Sequence, residues 1–216
     1  MSNGLELTLG AQAFAADINI ANVILNKDER FVAIFGANAI SENQFYYQKA
    51  VDLAKVLASA GLSIMTGGGH GIMEAGNKGA KGISNSYGLQ VNAIHREREN
   101  SPYLDPEGVF MFNTLSIRLL TLISRASVIV FFPGGFGTLE EMFSLLVRIK
   151  NGLMKAVPIY LFGSEFWNGL FFWLRDFVKK EGAIDKEHLD IFKIEDDIDK
   201  IAQATVSYCL SNVESK

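Results

Sequence analysis

Ser127-Val128-Ile129-Val130-Phe131-Phe132-Pro133-Gly134-Gly135-Phe136-Gly137-Thr138-Leu139-Glu140-Glu141 is the stretch whose reading decides the fold. Its first six residues form a mostly apolar run of the length of a buried strand. Proline and three glycines then break the pattern, and Met142 to Val147 resume it at helical spacing. The stretch predicts a strand, a glycine turn and a helix start. Such a turn suits a phosphate, because glycines let backbone N–H groups approach a ligand and the first helical turn offers unpaired donors and a positive dipole end.

The same unit repeats upstream. Phe31 to Phe35 predicts a strand, Gly36-Ala37-Asn38 a turn, and Glu42 to Ala60 a helix closed by Gly61. Leu62 to Thr66 predicts a second strand, and Gly67-Gly68-Gly69-His70-Gly71 leads into a helix containing Ile72 to Ala75. Tyr87 to Ile94 is a third strand candidate, followed by the polar run His95 to Asn100 and the loop Ser101 to Pro106. A short extended stretch at Val109 to Asn113 precedes a helix at Thr114 to Arg125. Beyond the central motif, the helix runs to about Lys150. Val157 to Phe162 predicts a strand, Glu165 to Lys180 a helix, and Ile194 to Leu210 the last helix, with Glu195, Asp196 and Asp197 at its start.

This alternation predicts an α/β fold, a doubly wound, Rossmann-like parallel sheet with helices on both faces, in a single domain. The domain is expected over residues 29–216, with 1–28 as an N-terminal extension or docked helix carrying no motif. In such sheets ligands sit beyond the carboxyl ends of the strands, where the turns at Gly36, Gly67 to Gly71 and Gly134 to Gly137 are expected to converge.

Composition narrows the function. A chain of 216 residues that is 49% apolar is large enough for a real core. Its formal charge of -4 gives no electrostatic reason to expect a nucleic-acid partner. Cys209 is the lone cysteine, and the first basic residue is Lys27, so a reducing, cytoplasmic setting is expected. The apolar stretch from Val157 to Leu174 is broken by Pro158, Gly163-Ser164, Glu165 and Asn168, which argues for strand, turn and aromatic helix over a membrane span.

Several chemistries are absent. Gly69-His70-Gly71 lacks the third glycine of a dinucleotide fingerprint, and Gly71 to Gly76 continues with Asn77-Lys78 where a P-loop needs Lys and then Ser or Thr. His70, His95 and His188 are scattered, and no G-x-S-x-G elbow occurs. A site without metal or cofactor is expected. Two residues stay ambiguous. Thr138 and Glu141 fit a capping box with Thr138 as N-cap, which needs no catalysis. Arg118 shares a helical stripe with Leu115, Leu122 and Arg125 that reads equally as a wet face or as one turned to a pocket.

Pro133 to Glu141 resembles the P-G-G-x-G-T-x-x-E signature of the Lonely Guy family, the cytokinin riboside 5'-monophosphate phosphoribohydrolases and related bacterial nucleotide nucleosidases. Thr66-Gly67-Gly68-Gly69-His70-Gly71-Ile72-Met73-Glu74-Ala75 resembles the family's second glycine turn, and Arg118 lies where the family places its motif arginine. The resemblance runs from about Phe31 to the Asp196-Asp197 helix. Leu119 follows Arg118 where many members have Arg-Lys, and Thr114 to Ile117 departs from the plant-type Met-His-Glu segment, which bears on base recognition.

The resemblance implies hydrolysis of the N-glycosidic bond of a nucleoside 5'-monophosphate, cytokinin riboside monophosphate or AMP-like, giving free base and ribose 5-phosphate. It implies Arg118 and Glu141 as catalytic residues and Gly68, Gly69, Glu74, Gly134, Gly135, Gly137 and Thr138 as the substrate and phosphate seat. A homodimer is implied as well, and Phe166, Trp167, Leu170, Phe171, Trp173, Leu174 and Phe177, which cover more than one helical face, read either as deeply buried or as a subunit interface. The alternative is a non-catalytic nucleotide or molybdenum-cofactor carrier of the same fold. Older lysine decarboxylase labels in the family find no pyridoxal chemistry in this sequence.

Overall fold

In a computed structural model of the chain, residues 11–92 and 101–211 are described. Seven parallel strands form one sheet in the order β4-β3-β2-β1-β5-β6-β7. They are β1 Phe31–Phe35, β2 Ser63–Thr66, β3 Ser86–Val91, β4 Val109–Phe112, β5 Ala126–Phe131, β6 Ile159–Phe162 and β7 Lys193–Glu195. The helices are α1 Ala11–Leu25, α2 Phe45–Ser59, α3 Ile72–Ala80, α4 Leu115–Arg125, α5 Phe136–Lys150, α6 Ser164–Trp173, α7 Lys186–Leu189 and α8 Ile198–Ser211.

The central strands are apolar on both faces because both faces are covered. Phe31, Ala33 and Phe35 of β1 join Ile129 and Phe131 of β5 in a core under α1, α4, α5 and α6. Val32, Ile34, Val128 and Val130 alternate to the other side, where α2, α3 and α8 supply Leu53, Leu57, Ala75, Ile201 and Ala202. The strand order turns back between β1 and β5, which pair directly with Ala33 opposite Ile129. This is the switch point, and it opens a crevice at the carboxyl ends of those strands.

Gly61 does what was expected of it. At φ 79° it follows α2, its N–H donates to the Ala58 carbonyl, and the Leu62 N–H reaches back to Leu57, a Schellman closure.

Some elements differ from expectation. The region read as the start of the last helix is the edge strand β7, and α8 begins at Ile198, where Asp197 Oδ1 accepts from the N–H groups of Asp199 and Lys200. A strand of three residues is too short to impose a period on the sequence. The helix expected over Glu165 to Lys180 is α-helical only to Trp173 and continues as a π-helical turn at Leu174–Val178. The third strand stops at Val91, and the expected Ala93-Ile94 ending and the polar run from His95 to Asn100 lie outside the described residues. The N-terminal region contains α1, which packs on α4 and sends Ala21 and Ile24 into the core.

Candidate active site

Three turns close over the crevice and are tied to one another. The Ala37 N–H after β1 donates to the Pro133 carbonyl after β5, and the Ile72 N–H at the start of α3 donates to the Ala37 carbonyl. Gly71 caps α3 at φ 65°, and a Cβ there would lie 2.3 Å from the Ala37 oxygen. Its glycine character therefore serves the joint between turns and need not serve a ligand.

The cleft so formed has a volume of about 450 Å³, within the range of small-molecule sites. Gly67, Gly69 and His70 line it from one turn, Gly135, Phe136, Gly137 and Thr138 from another, and Arg118, Glu140 and Glu141 from the helices. Arg118 is only 9% exposed. Its Nε donates to the Leu89 carbonyl at 2.8 Å and its Nη1 to Glu141 Oε1 at 3.0 Å. The ambiguity about its stripe is thereby resolved. Leu115 at the near end of the stripe lines the cleft, and Arg125 at the far end donates to the carbonyls of Ile24, Lys27 and Glu29.

Gly67 owes its lack of a side chain to this arginine. A Cβ at Gly67 would lie 1.9 Å from Arg118 Nη2. The glycine is the space the guanidinium occupies.

The central motif also differs from the capping-box reading. The N-cap of α5 is Gly135, with Phe136 as the first helical residue, so Thr138 is in the first turn and Glu141 in the second. Glycine's extended backbone opens the helix three residues before Thr138 could cap it. Glu141 is thus free of any cap duty, and its side chain, 15% exposed, faces Arg118. Burial pushes the Glu141 carboxyl above the usual glutamate range, Arg118 opposes that, and neighbouring Glu140 adds to it. The cost of desolvating the carboxylate outweighs its ion pair.

Other expected residues fall behind this lining. Gly134 makes room for Thr138, whose Oγ1 would be 2.1 Å from a Cβ at position 134. Gly68 at φ 67° packs against Gly88 and Gln90, and its carbonyl accepts from Gln90 Nε2 at 2.8 Å. The Glu74 carboxylate accepts from the Tyr47 hydroxyl at 2.9 Å and sits 3.3 Å from His70 Nδ1. It reaches the cleft through His70, which does line it.

Sequence reasoning did not single out His70, Phe136, Asn38, Met73 or Glu140 as cleft residues. Phe136 is 93% exposed at the cleft, an unusual place for a phenylalanine. Its position between two glycines in the motif was the available signal. Among the described residues no group of three or more His, Cys, Asp or Glu gathers as a metal site, and no helix is long and apolar enough to cross a membrane.

Comparison with known proteins places the chain. The family model described as possible lysine decarboxylase matches residues 65–205. A pyrimidine/purine nucleotide 5'-monophosphate nucleosidase of Escherichia coli K12 is 30% identical over 144 residues, covering 62% of this chain and 31% of that protein. The chain thus spans about a third of the length of that relative. A probable cytokinin riboside 5'-monophosphate phosphoribohydrolase of Oryza sativa subsp. japonica is 26% identical over 186 residues, 83% of this chain and 78% of that one. Among solved structures, the molybdenum cofactor carrier protein of Chlamydomonas reinhardtii aligns with a TM-score of 0.59 at 20% identity, over 84% of this chain and 99% of that one. The molybdenum cofactor binding protein of Rippkaea orientalis aligns with a TM-score of 0.60 at 18% identity, over 85% and 99%. At those identities the structures speak to the fold alone.

Proposed function

The chain belongs to the family described as possible lysine decarboxylase, the Lonely Guy family, and from that premise we propose that it hydrolyses the N-glycosidic bond of nucleoside 5'-monophosphates. The observation that carries this reading is the buried Arg118–Glu141 pair on the wall of a cleft otherwise lined by glycine turns and a helix start. The names of the bacterial and rice relatives support it. The decarboxylase description finds less support, because no lysine is among the described residues lining the cleft to form a Schiff base.

In this reading, the N–H groups of the first turn of α5, with Gly135, Gly137 and Thr138, seat the 5'-phosphate. Two carboxylates stand near that seat. The charge of Glu141 is met by Arg118, which leaves the helix dipole and N–H groups to face the phosphate. As the bond between C1' and the base nitrogen breaks, its electron pair leaves with the base and positive charge develops on the ribose. The Glu141 carboxylate stabilises that charge and takes a proton from the attacking water, whose oxygen bonds to C1', while the departing base takes up a proton from solvent at the freed nitrogen. Arg118 orients Glu141 and contacts the phosphate or the departing base.

Phe136 is suited to stack on the base at the mouth of the cleft. We also place a second copy of the chain against the aromatic side of α6 and the π-helical turn after it, where Phe166, Phe172, Trp173 and Phe177 are about half exposed. The test is incubation with a panel of purine and pyrimidine monophosphates, including isopentenyladenosine monophosphate, followed by chromatography. Free base and ribose 5-phosphate are expected. Tight nucleotide binding without product would point to a carrier instead.

A further inference from the structure

The helix that carries Arg118 is not anchored by its own sequence alone. Asp17, on α1, is 0% exposed, yet it belongs to a region without a motif and outside the matched residues 65–205. Its two carboxylate oxygens accept four hydrogen bonds at the start of α4. Oδ1 takes the Asn113 N–H at 2.8 Å and Asn113 Nδ2 at 3.1 Å. Oδ2 takes the Thr114 N–H and the Thr114 hydroxyl, both at 2.8 Å.

A buried carboxylate is costly unless every lone pair is engaged, and here the donor set is complete enough to hold one. Thr114 is the N-cap of α4, and its Oγ1 in turn accepts from the Ile117 N–H at 3.3 Å. The Thr114 carbonyl accepts from the Arg118 N–H at 3.3 Å. One turn therefore separates the Asp17 carboxylate from the backbone of the arginine. A negative charge at this end also complements the helix dipole. Asn113 extends the same network to the residue that follows β3, since its Oδ1 accepts from Asn92 Nδ2 at 2.9 Å.

At the other end of its side chain, Arg118 has little latitude. Its guanidinium fits between the Leu89 carbonyl, Glu141 and the empty side of Gly67. A shift of α4 along its axis by a fraction of a turn would break one of these contacts. We propose that Asp17 is a positioning residue for the proposed reaction, clamping the N-terminus of α4 so that Arg118 meets Glu141. The inference rests on the assignment of Arg118 to the active site, but the placement of the guanidinium can be read without turnover.

An asparagine at position 17 keeps the shape and still accepts from Asn113, but turns an NH₂ group toward the Thr114 N–H, which then has no acceptor. The experiment compares Asp17→Asn, Arg118→Ala and the double variant in the full chain. One readout is exchange of the Arg118 Nε–H with solvent in arginine-labelled protein, and the other is kcat/KM for AMP. In Asp17→Asn the Nε–H is expected to exchange faster, and kcat/KM to fall by about tenfold or more, as small misplacements of catalytic groups do. Adding Asp17→Asn to Arg118→Ala should bring no further fall in kcat/KM, because the effect passes through the arginine.

A folded Asp17→Asn protein with wild-type Nε–H exchange overturns the proposal, and so does a loss of activity that adds fully to that of Arg118→Ala. If Asp17→Asn does not fold, Thr114→Val, which removes the hydroxyl's bonds to both Asp17 and the Ile117 N–H, is judged by the same two readouts against Thr114→Ser, which keeps both. If no nucleotide is cleaved even by wild type, the function proposed above fails while the exchange readout still decides the role of Asp17.

Discussion

Gly67→Ala turns the packing around Arg118 into a measurement. The added methyl would stand 1.9 Å from Nη2 and 2.7 Å from Met73 Sδ, whereas ordinary contact begins near 3.4 Å, so the guanidinium must retreat by about 1.5 Å. Its bonds to Leu89 and Glu141, at 2.8 and 3.0 Å, cannot both survive a shift of half their length. Losing one charge-assisted hydrogen bond costs about 1.5–3 kcal/mol, or roughly 10- to 150-fold in kcat/KM if the bond is needed in the transition state.

The fold should tolerate the change far better than the reaction does. Gly67 does not use a left-handed backbone, and the atoms in the way are the far ends of two flexible side chains. A cost of about 1–2 kcal/mol corresponds to a fall in Tm of about 2–8 °C for a domain of this size. The assay pairs thermal unfolding with steady-state release of base from AMP. A protein that unfolds near the wild-type temperature but has lost about a hundredfold in kcat/KM is expected. Unchanged kcat/KM in a folded Gly67→Ala protein would refute the claim that Arg118 must sit where the structure places it.

Glu141→Gln should abolish most turnover while leaving the fold intact, since Gln keeps an acceptor for Arg118 Nη1. Because burial raises the Glu141 pKa above 4.5, activity should rise with pH through a midpoint above that value, in a kcat/KM profile. Stability runs the other way: a raised group contributes below 4.5 and loses its contribution as pH climbs through the folded value, so wild type should gain stability relative to Glu141→Gln on acidification, by thermal unfolding. Phe136→Ala, at a 93% exposed position, should leave Tm unchanged but raise KM for purine monophosphates by about tenfold through lost stacking. Gly71→Ala combines a φ of 65° with a methyl 2.3 Å from a backbone oxygen, and should destabilise the fold by about 2 kcal/mol or more in denaturant titration.

The βα units were legible because continuous apolar runs and glycine punctuation are local signals, and the crevice followed from their order. What escaped was set by distance or by competition. Thr138-x-x-Glu141 matches a capping box, but a glycine three residues earlier opens the helix first, and no spacing rule ranks the two starts. The stripe bearing Arg118 was visible as a period, whereas its burial depends on Leu89 and Glu141, 29 and 23 residues away. Asp17 gave no signal at all. Its partners are 96 and 97 residues along the chain, and one aspartate on an alanine-rich helix reads as a solvated residue.

The central claim is that this cleft cleaves between ribose and base with water as the acceptor. AMP hydrolysed by wild-type protein in water enriched in heavy oxygen, with the products resolved by mass spectrometry, tests it most directly. Label is expected in ribose 5-phosphate, none in the freed adenine, and both products should be lost in Glu141→Gln. Labelled inorganic phosphate beside intact adenosine, or no product at all while AMP remains bound, would contradict it.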